Sequence, residues 1–153
     1  MLEEKVFLAR VAEQSERFDD MFGFLQELIA AKDGGDFTED ERNHLSVGFK
    51  NYISSERGAV RITESIKKNP KYTKFEGVLH EYRTKIIGLL YERCLAVVKI
   101  CEDKCMPLAK DNEAKAFFWK MIGDYYRYAA ESAEGANLEN AKQSGLKAYE
   151  QAS

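Results

Sequence analysis

Proline is scarce in this sequence, and no apolar run is long enough to cross a membrane. Only two prolines and ten glycines occur among 153 residues, which excludes a loop-rich or low-complexity protein. A membrane-spanning helix needs about 20 consecutive apolar residues, and the apolar runs here are far shorter. The opening segment, MLEEKVFLARVAEQ, carries charges early and lacks the apolar centre of a signal peptide. We therefore predict a protein that neither spans a membrane nor is secreted.

A strong excess of one charge is also missing. The formal net charge is −3 and the isoelectric point is near 5.6. This balance gives the molecule no overall attraction to nucleic acid or to an anionic membrane, so we predict neither as a partner. Any site for an anion must therefore be a local basic patch.

Cysteine is limited to three residues in one segment, Cys94, Cys101 and Cys105. This odd number, without the spacing of a disulfide framework, indicates reduced thiols and a cytoplasmic protein, with access to the nucleus left open. On a helix the thiols would spread over about 16 Å, too far for one tetrahedral metal site. Cys101 and Cys105 alone could share a metal, but no nearby histidine completes a ligand set. We predict buried thiols, with no metal and no cofactor.

The chain does contain helical periodicity from end to end. Strand-like alternation of apolar and polar residues is not found. The fold class that we predict is all-α, an antiparallel bundle of about six helices that forms one domain over residues 1–153. After a first amphipathic segment, the periodicity predicts helices over about residues 18–32, 38–68, 73–104, 112–133 and from 138 onward.

Local signals mark some of these boundaries. Thr38 and Glu41 form a Thr-x-x-Glu capping box at the start of the third helix, and Asn69-Pro70 ends it. Gly135 and Asn137 are expected to separate the fifth helix from the sixth. The apolar face of the sixth helix continues to the last residues, so we expect that the chain is truncated within this helix.

The third predicted helix carries a basic stripe. Lys50, Arg57 and Arg61 stand at i, i+7 and i+11, within roughly 40° of one another and over a length of about 16 Å. Glu56 points elsewhere. The spacing alone favours an ordinary solvated face, because most charge runs on helices are solvated.

The fifth predicted helix contains FFWKMIGDYYRYAAE, in which Arg127 stands among three tyrosines. One interpretation is an Arg127–Glu131 pair on a helix packed by aromatic rings. The other is a fixed guanidinium beside a phenolic donor. Two arginines and one tyrosine hydroxyl, supported by a lysine, suit a phosphate dianion, because arginine offers a planar fork and lysine a point charge.

Other constellations carry weaker signals. His44 and His80 are isolated, and nothing resembles a nucleophile with its base, so we predict no enzyme. A cluster of lysines near the loop after the third helix is explained by solvated side chains at a helix C-terminus, and a weak secondary anion site is the alternative. The cluster consists of Lys67, Lys68, Lys71 and Lys74.

Several segments resemble one known family. ERNHLSVGFKN followed by SSERGAVR is similar to the third-helix signature of 14-3-3 proteins, and GDYYRYAAE is similar to their fifth-helix signature. AEQSERFDDM resembles the junction of their first two helices, and EYRTKI resembles their fourth helix. The similarity is collinear and extends over essentially the whole chain.

The resemblance implies the N-terminal part of a dimeric bundle of nine helices, whose groove binds phosphorylated serine or threonine motifs of client proteins. Carried over by position, the phosphate-binding residues would be Lys50, Arg57, Arg127 and Tyr128, with Arg61 and Lys120 at flanking groove positions. The first helix would contact the third and fourth helices of the partner, in a homodimer or a heterodimer. Candidate dimer residues are Val11, Ser15, Arg17, Asp20, Ile62, Tyr82 and Lys85.

The chain also departs from the family pattern. Glu56 and Val60 stand where the family usually has a second arginine and a tryptophan. Leu89 replaces the acidic partner of Arg17, so one of two dimer salt bridges would be missing, whereas an Asp20–Lys85 pair remains available. Exposed ion pairs contribute about 0–1 kcal/mol each, so we still expect dimers, with an altered choice of partner.

Three further helices of the family, with the apolar wall of the groove, have no counterpart in residues 1–153. The function that we expect is a phosphopeptide-binding dimeric adaptor that regulates client proteins in signalling. The alternative is a truncated dimerisation arm, which pairs with full-length relatives without binding phosphopeptide itself.

Overall fold

The computed structural model describes residues 2–32 and 34–153, and six α-helices account for most of them. This confirms the predicted all-α bundle, and no strand occurs in the described residues. The helices are α1 (Leu2–Gln14), α2 (Phe18–Ala30), α3 (Glu39–Lys67), α4 (Glu76–Ile100), α5 (Asn112–Ser132) and α6 (Gly135–Ala152).

Neighbours in sequence pack as antiparallel pairs, α1 with α2, α3 with α4 and α5 with α6. Further contacts join α2 to α3 and α4 to α5, so one apolar core runs through the molecule. Phe49 of α3 and Phe118 of α5 are its largest fully buried side chains. Burial of one such ring contributes roughly 1.5–3 kcal/mol. Phe49 lies edge-on to Phe22 of α2, and Phe118 lies edge-on to Phe37, so both rings tie their helices into the common core.

The start of α3 agrees with the predicted capping box. The Thr38 hydroxyl accepts a hydrogen bond from the Glu41 backbone N–H, and the Glu41 carboxylate accepts one from the Thr38 N–H. Lys32 adds a salt bridge to the same carboxylate at 2.6 Å. Burial opposes ionisation of Glu41, but the bonds from Lys32 and Thr38 lower the pKa of this carboxyl overall.

Two predicted boundaries require correction. The fourth helix is not continuous from residue 73 to 104, because Pro70–Phe75 is a 3-10 helix and Cys101–Cys105 widens into a π-helical turn. The sixth helix begins at Gly135 rather than near residue 138. The chain is extended at Ala133 and Glu134, with ψ of 157° and 158°, and Gly135 follows with a positive φ of 62°. Gly135 therefore takes part in the break as predicted, whereas Asn137 lies within α6.

The three thiols are free and buried, as the sequence predicts. Burial raises the pKa of Cys94 to about 12. A hydrogen bond with Cys105 and burial both raise the pKa of Cys101.

The described residues contain neither a cluster of metal ligands nor a membrane-spanning helix. No group of three histidine, cysteine or carboxylate side chains within residues 2–32 and 34–153 is placed to hold a metal ion. None of the helices in these two ranges combines the length and apolar character that a bilayer crossing requires.

Candidate functional site

The basic residues predicted on α3 and α5 meet around the ring of Tyr128. The guanidinium carbon of Arg57 lies 4.3 Å from the ring centroid, and that of Arg127 lies 4.9 Å from it. Both distances are within the roughly 6 Å over which a cation is attracted to an aromatic ring. The structure therefore brings together three of the four residues predicted to bind phosphate, from two different helices.

Lys50 belongs to the same surface. Its exposed side chain lines a small cavity of about 80 Å³ together with Lys120, Asp124 and Tyr128. No ion pair holds the Lys50 ammonium within the part of the chain that the structure describes. We call Lys50, Arg57, Arg127 and Tyr128 the phosphate cluster.

Arg57 is the most constrained cation of the phosphate cluster. Its side chain is 22% exposed, and Nη2 lies 3.3 Å from Oε2 of Glu131. Its Nε is buried and has no acceptor among the described residues. The alternative interpretation from the sequence, an Arg127–Glu131 pair, is wrong. The Arg57 side chain crosses the Tyr128 ring and reaches Glu131, one turn further along α5. The Glu131 carboxylate therefore pairs with a residue of α3.

Arg127 is held from the other side, by α5 and α6. Its Nε donates to the hydroxyl of Tyr149 at 3.3 Å, and its Nη2 lies 3.7 Å from Oδ1 of Asp124. The Tyr149 hydroxyl in turn donates to the same Asp124 oxygen at 2.6 Å. Lys120, a predicted flanking residue, pairs with the other oxygen of Asp124 at 3.0 Å. Asp124 thus contacts both α5 cations, and its single negative charge offsets only one of their two positive charges.

Sequence analysis missed Tyr149, which reaches this site because α5 and α6 approach closely. A Cβ atom placed on Gly123 would lie 2.7 Å from ring carbons of Tyr149, closer than side chains tolerate. Glycine at this position therefore lets the tyrosine ring lie against the backbone of α5. The glycine in GDYYRYAAE is the one local sign of this contact, but it does not identify the partner residue.

The protonation states favour anion binding. The hydrogen bond with Tyr149 raises the pKa of Arg127, so this guanidinium is charged at any physiological pH. Burial, together with the hydrogen bond to Asp124, raises the pKa of Tyr149, so its hydroxyl stays neutral and keeps its proton. A phosphate dianion that reaches the cluster competes with Asp124 and Glu131 for guanidinium groups already in place.

Arg61, the other predicted flanking residue, lies on the opposite side of Arg57 from Lys50. It lines a larger cavity of about 760 Å³, to which Arg57 and Glu131 also contribute. The structure thus places the two flanking residues at different ends of the phosphate cluster, Lys120 near Lys50 and Arg61 beyond Arg57.

The unexpected acidic residue on α3 does not weaken the cluster. The Glu56 side chain is 12% exposed and lies 3.5 Å from Nη1 of Arg93 on α4. Arg93 also pairs with Asp19 at 2.8 Å and lies over the ring of Tyr52. As the sequence indicates, Glu56 points away from the stripe, and Arg93 neutralises it.

The predicted dimer residues lie on α1 to α4 and in the α1–α2 loop, and all of them are exposed. Ile62 and Tyr82 are 63% and 61% exposed, and Val11 is 42% exposed. Arg17 pairs with Asp20 inside the single chain, so Asp20 already has a cation before any partner supplies Lys85. The seven residues are Val11, Ser15, Arg17, Asp20, Ile62, Tyr82 and Lys85.

Comparison with known proteins identifies the family to which this chain belongs. The family model for 14-3-3 protein matches residues 8–153. A 14-3-3-like protein of Helianthus annuus is 40% identical over 98% of this chain and 60% of its own length. One from Oenothera elata subsp. hookeri is 38% identical over 98% and 59%, and 14-3-3 protein 6 of Solanum lycopersicum is 38% identical over 98% and 60%. The chain thus spans about 60% of the length of these relatives, and it belongs to the 14-3-3 protein family.

Proposed function

We propose that this chain belongs to a dimeric adaptor that binds phosphoserine or phosphothreonine segments of client proteins in the cytoplasm. One observation carries the proposal: Arg57 and Arg127 converge on the Tyr128 ring, with Lys50 on the same surface. Two planar forks held by contacts within the chain, with one exposed ammonium on the same surface, match the charge and the hydrogen-bonding capacity of a phosphate dianion.

The proposed action is binding alone. A client segment docked on the phosphate cluster would be masked, clamped or brought near a second client, and its covalent structure would not change. In a dimer two such clusters would act together, so a client with two phosphorylated segments would gain avidity through effective concentration. The partners in this proposal are phosphorylated clients and a second related chain, in a homodimer or heterodimer.

The test is binding of a fluorescent phosphoserine peptide, with its dephosphorylated twin, to the chain and to Arg57→Ala/Arg127→Ala. Each charge-assisted hydrogen bond contributes about 1.5–3 kcal/mol, so loss of both guanidinium groups should weaken binding by more than about 100-fold. Arg10→Ala/Lys147→Ala removes two exposed charges elsewhere and should bind as the unchanged chain does. Undiminished phosphate-dependent binding by the first variant would contradict the proposal.

The second candidate function is a dimerisation arm that pairs with related chains and binds no phosphopeptide. The exposure of Val11, Ile62 and Tyr82 supports it, because an interface would cover these apolar side chains. A folded dimeric chain that fails to bind the phosphopeptide would favour this candidate over the adaptor.

A further inference from the structure

The large cavity beside the phosphate cluster has a floor that is apolar and a rim that is basic. It has a volume of about 760 Å³ and lies between α3, α4 and the α5–α6 connection. Val60, Ile87 and Leu90 form much of its floor. Val60 stands where the family resemblance leads us to expect a tryptophan, whose larger side chain would occupy part of this space. We call it the α3–α4 cavity.

Two of the cations around the α3–α4 cavity form ion pairs with carboxylates of the chain. Arg57 pairs with Glu131 at 3.3 Å, and Arg83 pairs with Glu64 at 2.9 Å. These four groups cancel one another and leave little net charge.

The two remaining cations are available. Arg61 and Lys67 are exposed, and neither has an ion pair within residues 2–32 and 34–153. Glu134 is the one remaining carboxylate of the lining, so the unpaired groups carry two positive charges against one negative. The rim therefore favours an anion.

We propose that the α3–α4 cavity is a second subsite, which receives an aspartate or glutamate side chain of the same phosphopeptide. This inference rests on the proposed function and names a class of client. Two observations carry it. Arg57 belongs to both the phosphate cluster and the cavity, and its ion-pair partner Glu131 also lines the cavity, so the two surfaces are continuous. The excess charge of Arg61 and Lys67 complements a carboxylate.

Helix geometry gives the spacing that such a peptide needs. Along α3, Arg61 lies about 6 Å beyond Arg57 and Lys67 lies about 15 Å beyond it, at about 1.5 Å per residue. An extended peptide advances about 3.3–3.6 Å per residue. The acidic residue should therefore lie about two to five positions from the phosphorylated residue.

The experiment compares matched phosphopeptides that carry glutamate or glutamine at two, three, four or five positions on either side of phosphoserine. Each is titrated into the chain, into Arg61→Gln/Lys67→Gln and into the control Lys142→Gln/Lys147→Gln. At low ionic strength a glutamate peptide should bind the unchanged chain about threefold to tenfold more tightly than its glutamine twin. The first variant should lose this preference, and the control, which removes two charges from α6, should keep it.

Separate outcomes test the two proposals. Equal binding of glutamate and glutamine peptides at every position, with intact dependence on phosphate, would overturn the acidic subsite and leave the proposed function standing. A preference that survives in Arg61→Gln/Lys67→Gln would overturn the subsite as well, because the carboxylate would then bind elsewhere. Equal binding of phosphorylated and dephosphorylated peptides to the unchanged chain would overturn both proposals. Val60→Trp, which occupies part of the cavity and keeps every charge, should also reduce the preference.

Discussion

The phosphate cluster and the predicted dimer surface are organised in opposite ways. Arg57 is fixed by Glu131 and by the Tyr128 ring, so this cation is held in place before any ligand binds. Ile62 and Tyr82 on the dimer surface are 63% and 61% exposed, and little of either side chain packs within the chain. The first surface is preorganised within one chain, whereas the second would be covered only in the proposed dimer. Variants should therefore affect one without affecting the other.

The largest difference between the effect on dimerisation and the effect on phosphopeptide binding should come from Ile62→Asp/Tyr82→Asp. If both side chains enter the dimer interface, the variant loses about 1.5–3 kcal/mol of apolar burial for each and adds two buried carboxylates. The dimer should weaken by more than about 100-fold, while binding of a monovalent phosphopeptide changes little. Sedimentation velocity over a range of concentrations measures the first quantity, and fluorescence anisotropy measures the second.

Leu146→Asp is the matched control for this experiment. Leu146 on α6 is 64% exposed, as accessible as Ile62, but it lies outside the predicted dimer surface. Its substitution should leave the oligomeric state unchanged. An unchanged dimer in Ile62→Asp/Tyr82→Asp would show that α3 and α4 do not meet the partner through these residues.

A smaller effect, on the other surface, is expected from Tyr149→Phe. The change keeps the ring against Gly123 but removes the hydroxyl that accepts from Arg127 and donates to Asp124. A net hydrogen bond contributes about 0.5–1.5 kcal/mol, so phosphopeptide affinity should fall about threefold to tenfold as Arg127 loses its orientation. The dimer constant should not change.

Tyr91→Phe controls for the loss of a tyrosine hydroxyl as such. The Tyr91 hydroxyl accepts from Asn140 at 3.3 Å, between α4 and α6, and touches no residue of the phosphate cluster. This variant should lose a similar amount of stability without loss of affinity. Equal affinity losses in the two variants would mean that Tyr149 acts on the fold rather than on Arg127.

The smallest effect should come from Glu41→Gln at the start of α3, the helix that carries residues of both surfaces. Glutamine can keep the hydrogen bonds of the capping box. The variant therefore loses only the charge-dependent part of the stabilisation that Glu41 gives to the folded chain, about 0.5 kcal/mol. The folded pKa of Glu41 lies below the ordinary value of 4.5, so this stabilisation is complete above pH 4.5 and disappears as pH falls through the folded value. Urea midpoints of the two chains should differ at pH 7 and converge in acid. A constant difference at all pH values would contradict the role of the charge.

The features that the sequence predicts well are those set by short stretches of chain. The capping box needs only Thr38 and Glu41, and the stripe of Lys50, Arg57 and Arg61 follows from helical geometry alone. Helical periodicity does not predict the π-helical turn at Cys101–Cys105, in which the Met106 N–H donates to the Cys101 carbonyl.

The contacts of the candidate site were harder to predict. Periodicity places Arg57 and Arg127 on faces of their own helices, but only the packed bundle decides which carboxylate each one meets. Glu131 lies four residues from Arg127 and yet pairs with Arg57 from α3. Tyr149 is 22 positions from its partner Arg127 and was found only through the contact of α5 with α6.

Because the thiols are buried, their reaction with an alkylating reagent reports local or global unfolding of the chain. With a pKa of about 12, Cys94 carries thiolate in a fraction on the order of 10⁻⁵ of molecules at pH 7, and the closed core shields it from reagents. Alkylation must therefore wait for a local or global unfolding event that exposes the sulfur. Where opening and closing are faster than alkylation, the ratio of this rate to that of an unfolded chain gives the fraction of molecules in which α4 exposes this sulfur, without any added label.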